Sequence, residues 1–264
     1  RKLQLSIDLF YHDYAFLSPN DIYDEIRLGG KVGLERALGS DFLRGGISAT
    51  LENVDIALTS DAVPPLPNLG LPGNVPPDIM SQRGHHTLAS VGSSLAWDTR
   101  NSVKLSDKGQ RTALTAQVTG GDDTFYKLEL QSAHYFRGLL PGHVLELGAR
   151  AGVMQAFGSS TDVPFFERYY LGGMYSLRGF QYRTVSPRQP YPNPLVGSYN
   201  EPVGGDTDWF GSAEYSIPIF EQDHGVGVRF ALFYDIGSVG SSPYNFNASD
   251  YSSDWGIGLR LNLP

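Results

Sequence analysis

The residue in this chain best placed to do chemistry is Arg178, a cation inside the glycine-rich aromatic run Val163-Pro-Phe-Phe-Glu-Arg-Tyr-Tyr-Leu-Gly-Gly-Met-Tyr-Ser-Leu-Arg-Gly-Phe180. A buried guanidinium needs acceptors, and two following segments supply carboxylates: Glu214 in Phe210-Gly-Ser-Ala-Glu-Tyr-Ser216 and Asp235 in Phe230-Ala-Leu-Phe-Tyr-Asp-Ile-Gly237. The expected chemistry is charge-assisted hydrogen bonding, in which the planar fork of arginine grips one carboxylate with two donors and still reaches another group. Bond-making candidates are thin. Ser132 and His134 lie two apart on a strand, which gives them a common face without making a nucleophile and base. His85 and His86 point to opposite faces of a strand, and no neighbour in sequence completes a metal set. Asp122-Asp123 reads as a turn, and the pairs Gly172-Gly173 and Gly204-Gly205 precede no helix that would make a phosphate loop. No enzymatic activity, cofactor or metal is expected.

Alternating strands must position these groups. Leu3, Leu5, Ile7, Leu9 and Tyr11 share one face, with Lys2, Gln4, Ser6, Asp8 and His12 on the other. The pattern repeats with Ile26, Leu28, Val32 and Leu34 against Glu25, Arg27, Lys31 and Glu35, then with Leu43, Ile47, Ala49 and Leu51 against Arg44, Ser48, Thr50 and Glu52. Four less regular segments follow near 86–98, 110–119, 125–137 and 143–157. Three more close the chain, alternating from Trp209 to Ile217, Val226 to Ile236 and Trp255 to Leu263, for a total of about ten strands. The same period puts Glu214 and Asp235 on the polar face.

Composition agrees with strands and turns. The 264 residues include 31 glycines, 15 tyrosines and no cysteine, which removes disulfides and cysteine-based metal sites. A net charge of −8 disfavours a nucleic-acid partner. Mean hydropathy is −0.23, and no run is long enough for a membrane-spanning helix. Spanning strands escape that test because every second side chain is polar. Connections alternate between short ones (Leu38–Asp41, Gly138–Gly142, Glu221–Gly225) and long ones (Asp61–Gly84, Gly158–Asp208), as in a transmembrane barrel, and parity places both long loops on one side. Tyr11, Tyr14, Trp97, Tyr135, Trp209, Tyr234 and Trp255 suit interfacial girdles. Pro64-Pro65 and Pro76-Pro77 mark a loop within one domain, because strand pattern resumes after them. Strand pattern begins at Arg1 without a leader segment, so the chain reads as a piece of a longer precursor.

Leu177-Arg-Gly-Phe180, preceded by Tyr170-Leu-Gly-Gly173 and followed by the Glu214 and Asp235 segments, resembles the BamA-type outer-membrane assembly factors, the bacterial surface antigen D15-like barrels. Leucine at 177 replaces the valine more common in that family. The resemblance implies an all-β, antiparallel transmembrane barrel in which 158–208 is an extracellular loop folded into the lumen. There Leu177, Arg178, Gly179 and Phe180 would form the motif, Glu214 and Asp235 its inner-wall partners, and Gly172 and Gly173 the loop packing. It also implies a single partial domain over 1–264, about ten strands of a sixteen-strand barrel, without the N-terminal POTRA domains and the terminal strands. The implied function is folding and insertion of β-barrel clients into the bacterial outer membrane, with unfolded clients, outer-membrane lipids and accessory lipoproteins as partners. A two-partner secretion translocator of the same superfamily and a passive porin are the alternatives.

Overall fold

The computed structural model describes residues 3–15, 21–60, 62, 73, 75–103, 105–193, 197–221 and 227–262. Ten strands form one antiparallel sheet: β1 (Leu3–Tyr14), β2 (Tyr23–Ala37), β3 (Leu43–Leu58), β4 (Gly84–Asp98), β5 (Gly109–Gly121), β6 (Phe125–Arg137), β7 (Val144–Ala156), β10 (Thr207–Glu221), β11 (Gly227–Gly240) and β12 (Ser252–Asn262). Their spatial order follows the chain, with β1 and β12 at the edges, while β8 (Arg188–Asn193) and β9 (Gly197–Pro202) pair separately. A short helix, α1 (Pro77–Ser81), lies in the β3–β4 connection. Pro64-Pro65, the turn at 222–226 and Leu263 fall outside the described residues.

Register fixes which side chains share a face, since residues directly opposite in antiparallel strands point the same way. Leu5 opposes Leu34, Leu34 opposes Ile47, and Ile47 opposes Ser93. Leu95 opposes Leu114, and Leu114 opposes Leu130. The outer face is thus a continuous apolar column set, and its members stay uncovered: Ile7 is 67% exposed, Leu9 86% and Leu261 69%. An apolar area of this extent on a water-soluble monomer would aggregate, whereas lipid solvates it. In lipid each backbone polar group must be paired within the protein, a condition the sheet ladder meets between its edges. Pro218, which lacks an N–H, sits where the β10–β11 register slips.

The inner face is polar at mid-height and apolar at one end. There Tyr23, Val54, Ile56 and Leu88 of the wall pack with Val75 and Ile79 of the β3–β4 connection and with Phe165 and Phe166 of the β7–β10 connection. A second buried group joins Phe125 and Met154 of the wall to Val163 and Tyr169. Val75 and Ile79 of one long connection and Val163, Phe165, Phe166 and Tyr169 of the other therefore pack on the inner face. The two connections also meet each other: Arg168 Nη1 donates to Asp78 Oδ2 at 2.7 Å, and the Phe165 N–H donates to Gln82 Oε1 at 2.8 Å.

Several sequence expectations are corrected. Strict alternation of connection length fails twice. β5 and β6 are joined on the long-loop side by a tight turn in which Asp122 Oδ2 accepts the Thr87 N–H at 2.7 Å. On the opposite side the longer β4–β5 connection is held by Asn101 Oδ1, which accepts the N–H groups of Asp107 and Lys108. Tyr135 belongs to the inner face, where its hydroxyl donates to Glu146 Oε1 at 3.2 Å, and so leaves the outer girdle. The hairpin β8–β9 and helix α1 add order inside stretches read as plain loop.

Candidate functional site

Within the β7–β10 connection, the motif is presented by a compact turn. The Gly173 N–H donates to Phe180 O at 2.9 Å and Leu177 O at 3.1 Å, and Ser176 Oγ accepts the Gly172 N–H at 2.9 Å. Gly172 has φ +107°, and a Cβ there would lie 2.2 Å from Gln181 O, so both its dihedral and its surroundings require glycine. Gly173, at φ +94°, continues the left-handed path. Leu177 is fully buried and holds the turn against the interior. Gly179 lets the backbone approach β12, since a Cβ would meet Asp254 Cβ at 2.8 Å.

The turn delivers Arg178 to the inner face of β10 and β11. Arg178 Nε donates to Asp235 Oδ2 at 2.6 Å and Nη2 donates to Asp235 Oδ1 at 2.8 Å, a bidentate pair with a carboxylate that has no solvent exposure. Arg178 Nη1 donates to Glu214, and Nη2 also reaches Ser212 Oγ at 3.1 Å. The guanidinium carbon lies 3.6 Å from the centre of the Phe233 ring, so the ring face covers what the carboxylates leave open. Cross-strand pairs build the receiving surface: Ser212 opposes Asp235 and Glu214 opposes Phe233. Ser212 donates to Asp235 Oδ1 at 2.6 Å, fixing the acid that fixes the arginine. Arg260 of β12 adds a second cation, its Nε and Nη2 donating to Glu214 Oε1 and Oε2 at 3.0 and 2.6 Å. Phe180 lies at the edge of a cavity bounded by the β11–β12 connection.

The structure thus brings Arg178, Glu214 and Asp235 together, with Leu177, Gly172, Gly173 and Gly179 shaping the turn. Sequence reasoning missed Ser212, Phe233 and Arg260. The first two stand two residues before Glu214 and Asp235, so the alternation that faced the acids inward also faced them inward.

A second set of contacts ties the same connection to the opposite part of the wall. Arg27 of β2 donates through Nη1 to Glu167 Oε1 at 2.6 Å and through Nη2 to Phe166 O at 3.1 Å, while Glu25 and Glu52 flank it. Arg183, with φ +59°, lies 3.9 Å from the centre of the Tyr170 ring and 3.8 Å from Glu25. Just before β10, burial pushes the Asp206 carboxyl up to about 6, with Arg168 opposing and Asp162 and Asp78 reinforcing the shift.

The bond-making candidates are placed apart. His134 is on the outer face, stacked on Phe136, and Ser132 Oγ is bonded to Thr112 Oγ1 at 2.7 Å. Strand pairing supplies carboxylates that sequence proximity did not: Asp55 lies 3.2 Å from His85 and Asp123 lies 2.9 Å from His86. Among the described residues no three His, Cys, Asp or Glu side chains converge as a metal site.

Residues 1–264 match the Omp85 superfamily domain. Over 148 residues, 55% of the chain, the sequence is 38% identical to the outer membrane protein assembly factor BamA of Nitratidesulfovibrio vulgaris, and this covers 17% of that protein. Over 144 residues, 53% of the chain, it is 26% identical to the sorting and assembly machinery component 50 homolog of Bos taurus, covering 28% of it. The chain thus spans far less than two thirds of these relatives. The crystal structure of BamA from Haemophilus ducreyi lacking POTRA domains 1-3 matches with a TM-score of 0.74 at 19% identity, over 99% of this chain and 53% of that one. CdiB from Acinetobacter baumannii gives 0.54 at 16% identity, over 98% and 41%. The chain belongs to the Omp85 superfamily, as part of a BamA-type β-barrel of the bacterial outer membrane.

Proposed function

We propose that this chain is barrel wall and internal loop of an outer-membrane protein assembly factor, which folds β-barrel clients and inserts them into the bacterial outer membrane. The observation that carries this reading is the seating of Arg178 on Asp235 and Glu214, which pins the β7–β10 connection against the inner wall. Similarity to BamA, an assembly factor by name, supports the activity. In this reading 158–208 is an extracellular loop folded into the lumen, and the protein works without covalent chemistry, nucleotide or metal. Its partners are unfolded β-barrel polypeptides, outer-membrane lipids and accessory lipoproteins. Ordered charge on the inner wall, rather than a nucleophile, supplies the working part.

The test uses the intact protein in proteoliposomes, with insertion of a β-barrel client read as protease protection of the client. Wild-type protein is expected to accelerate insertion over empty vesicles, and Arg178→Ala to slow it. No acceleration by the wild type overturns the reading. A second reading, a polypeptide translocator of the same superfamily, rests on the arginine-bearing motif Leu177–Phe180. It predicts release of one cognate chain across the bilayer in place of client insertion, and a passive porin predicts steady ion conductance with neither.

A further inference from the structure

The β11–β12 connection, residues 241–251, turns outward. Thr207 Oγ1 donates to Ser242 O at 2.9 Å and Trp209 Nε1 donates to Asn247 O at 3.3 Å. Both partners stand on the outer column of β10, since Thr207 opposes Val153 and Trp209 opposes Ala151 on the outer face of β7. The connection then crosses β7 and reaches β6, where the Tyr244 and Tyr126 hydroxyls are 2.6 Å apart. Tyr126 is also an outer residue, bonded at 2.8 Å to Gln155 on β7. The connection thus meets three outward side chains, while Asp250 and Tyr251 border the cavity at Phe180.

Its composition matches that position. Residues 241–251 carry Tyr244, Phe246 and Tyr251 and a single charged side chain, Asp250. With Phe157 these rings are 42–57% exposed, so packing within the protein does not account for them. They continue upward from Trp209, Tyr234 and Trp255 on the lipid-facing columns. Tyr244 takes φ +62°, a conformation unfavourable for a bulky L residue, and its hydroxyl bond to Tyr126 holds it there. Amphipathic rings at strand ends favour the layer between headgroups and acyl chains.

We propose that this connection is a rim collar, held to outer-wall side chains through Ser242, Tyr244 and Asn247 while Asp250 and Tyr251 border the cavity that Phe180 edges, and that it seats in the headgroup layer of the bilayer with the Tyr244–Tyr126 pair as its clasp. Its partner is lipid. The collar holds lipid against β6, β7 and β10, the strands whose inner faces lie beside the Arg178 site. The inference stands on the membrane-spanning wall and does not depend on the assembly activity.

The chain has no cysteine, so Ala248→Cys provides a unique labelling point in this segment. An environment-sensitive dye there, in the intact protein reconstituted into phosphatidylcholine vesicles, is exposed to aqueous iodide or to lipid carrying a nitroxide near its headgroup. Strong quenching by the lipid nitroxide is expected, with iodide quenching reduced about threefold relative to the free dye. Full iodide quenching without lipid quenching overturns the collar, including any version in which a protein partner must cover it. Tyr244→Phe and Tyr126→Phe, each in the labelled background and each checked for a folded barrel by heat-modifiable migration, are expected to shift quenching toward iodide. Unchanged quenching in both overturns the clasp.

Discussion

Arg260 grips both oxygens of Glu214, at 3.0 and 2.6 Å, so a carboxylate that receives the loop through Arg178 is already oriented from β12. The two arginines are not equivalent. Arg178 is the partner of a fully buried Asp235, whereas the Arg260 side chain is 39% exposed.

Arg178→Ala is therefore expected to cost more than Arg260→Ala. The first strands a buried carboxylate, for which about 3–5 kcal/mol is typical, and the second removes a partly solvated pair worth about 1 kcal/mol or less. Protease protection of the β7–β10 connection checks the ranking. Arg178→Lys should fail to restore protection, because an ammonium cannot make the bidentate contact with Asp235 while also reaching Glu214.

Gly172→Ala should loosen the turn that carries the motif. The left-handed backbone penalises a side chain by about 1–2 kcal/mol, and the contact with Gln181 O adds to it. Gly120→Ala is the matched comparison, since nothing lies within 4 Å of its added Cβ. Equal protease sensitivity of the two variants would contradict the assignment.

Asp206 predicts a pH effect of defined sign. Its folded carboxyl titrates near 6 instead of 3.8, so between those values the folded state binds more protons than the unfolded one. Its contribution favours the folded loop at low pH and is lost as pH rises from about 4 to about 6. Asp206→Asn should remove that part of the slope in loop protection measured across the window.

Glu167→Gln probes the other attachment. It weakens the 2.6 Å contact to Arg27 but leaves Glu25 and Glu52 beside that cation. The expected result is increased proteolysis near 163–168 with Arg178 still seated, read by mapping cleavage sites. Cleavage that appears equally on both sides of the motif would show that the attachments act as one unit.

Strand faces were legible because period two is a local property: Leu3 through Tyr11, and Glu214 with Asp235, needed no knowledge of neighbours. Contacts that depend on register were not. Phe233 became the stacking surface for Arg178 because it opposes Glu214, and Arg260 reached Glu214 from a strand beyond β11. Tyr135 misled because an amphipathic ring suits an interface and an inner hydrogen bond equally well. The β8–β9 hairpin escaped because Arg188-Gln-Pro-Tyr-Pro-Asn193 contains two prolines and little alternation.

Attachment of one connection to both β2 and the β10–β11 pair has a mechanical meaning. The sheet is an arc, and residues 166–178 run across it as a chord. Flattening the arc stretches the chord and must break Arg27–Glu167 or Arg178–Asp235 first. The wall from β2 to β11 therefore keeps its curvature for as long as both fastenings hold.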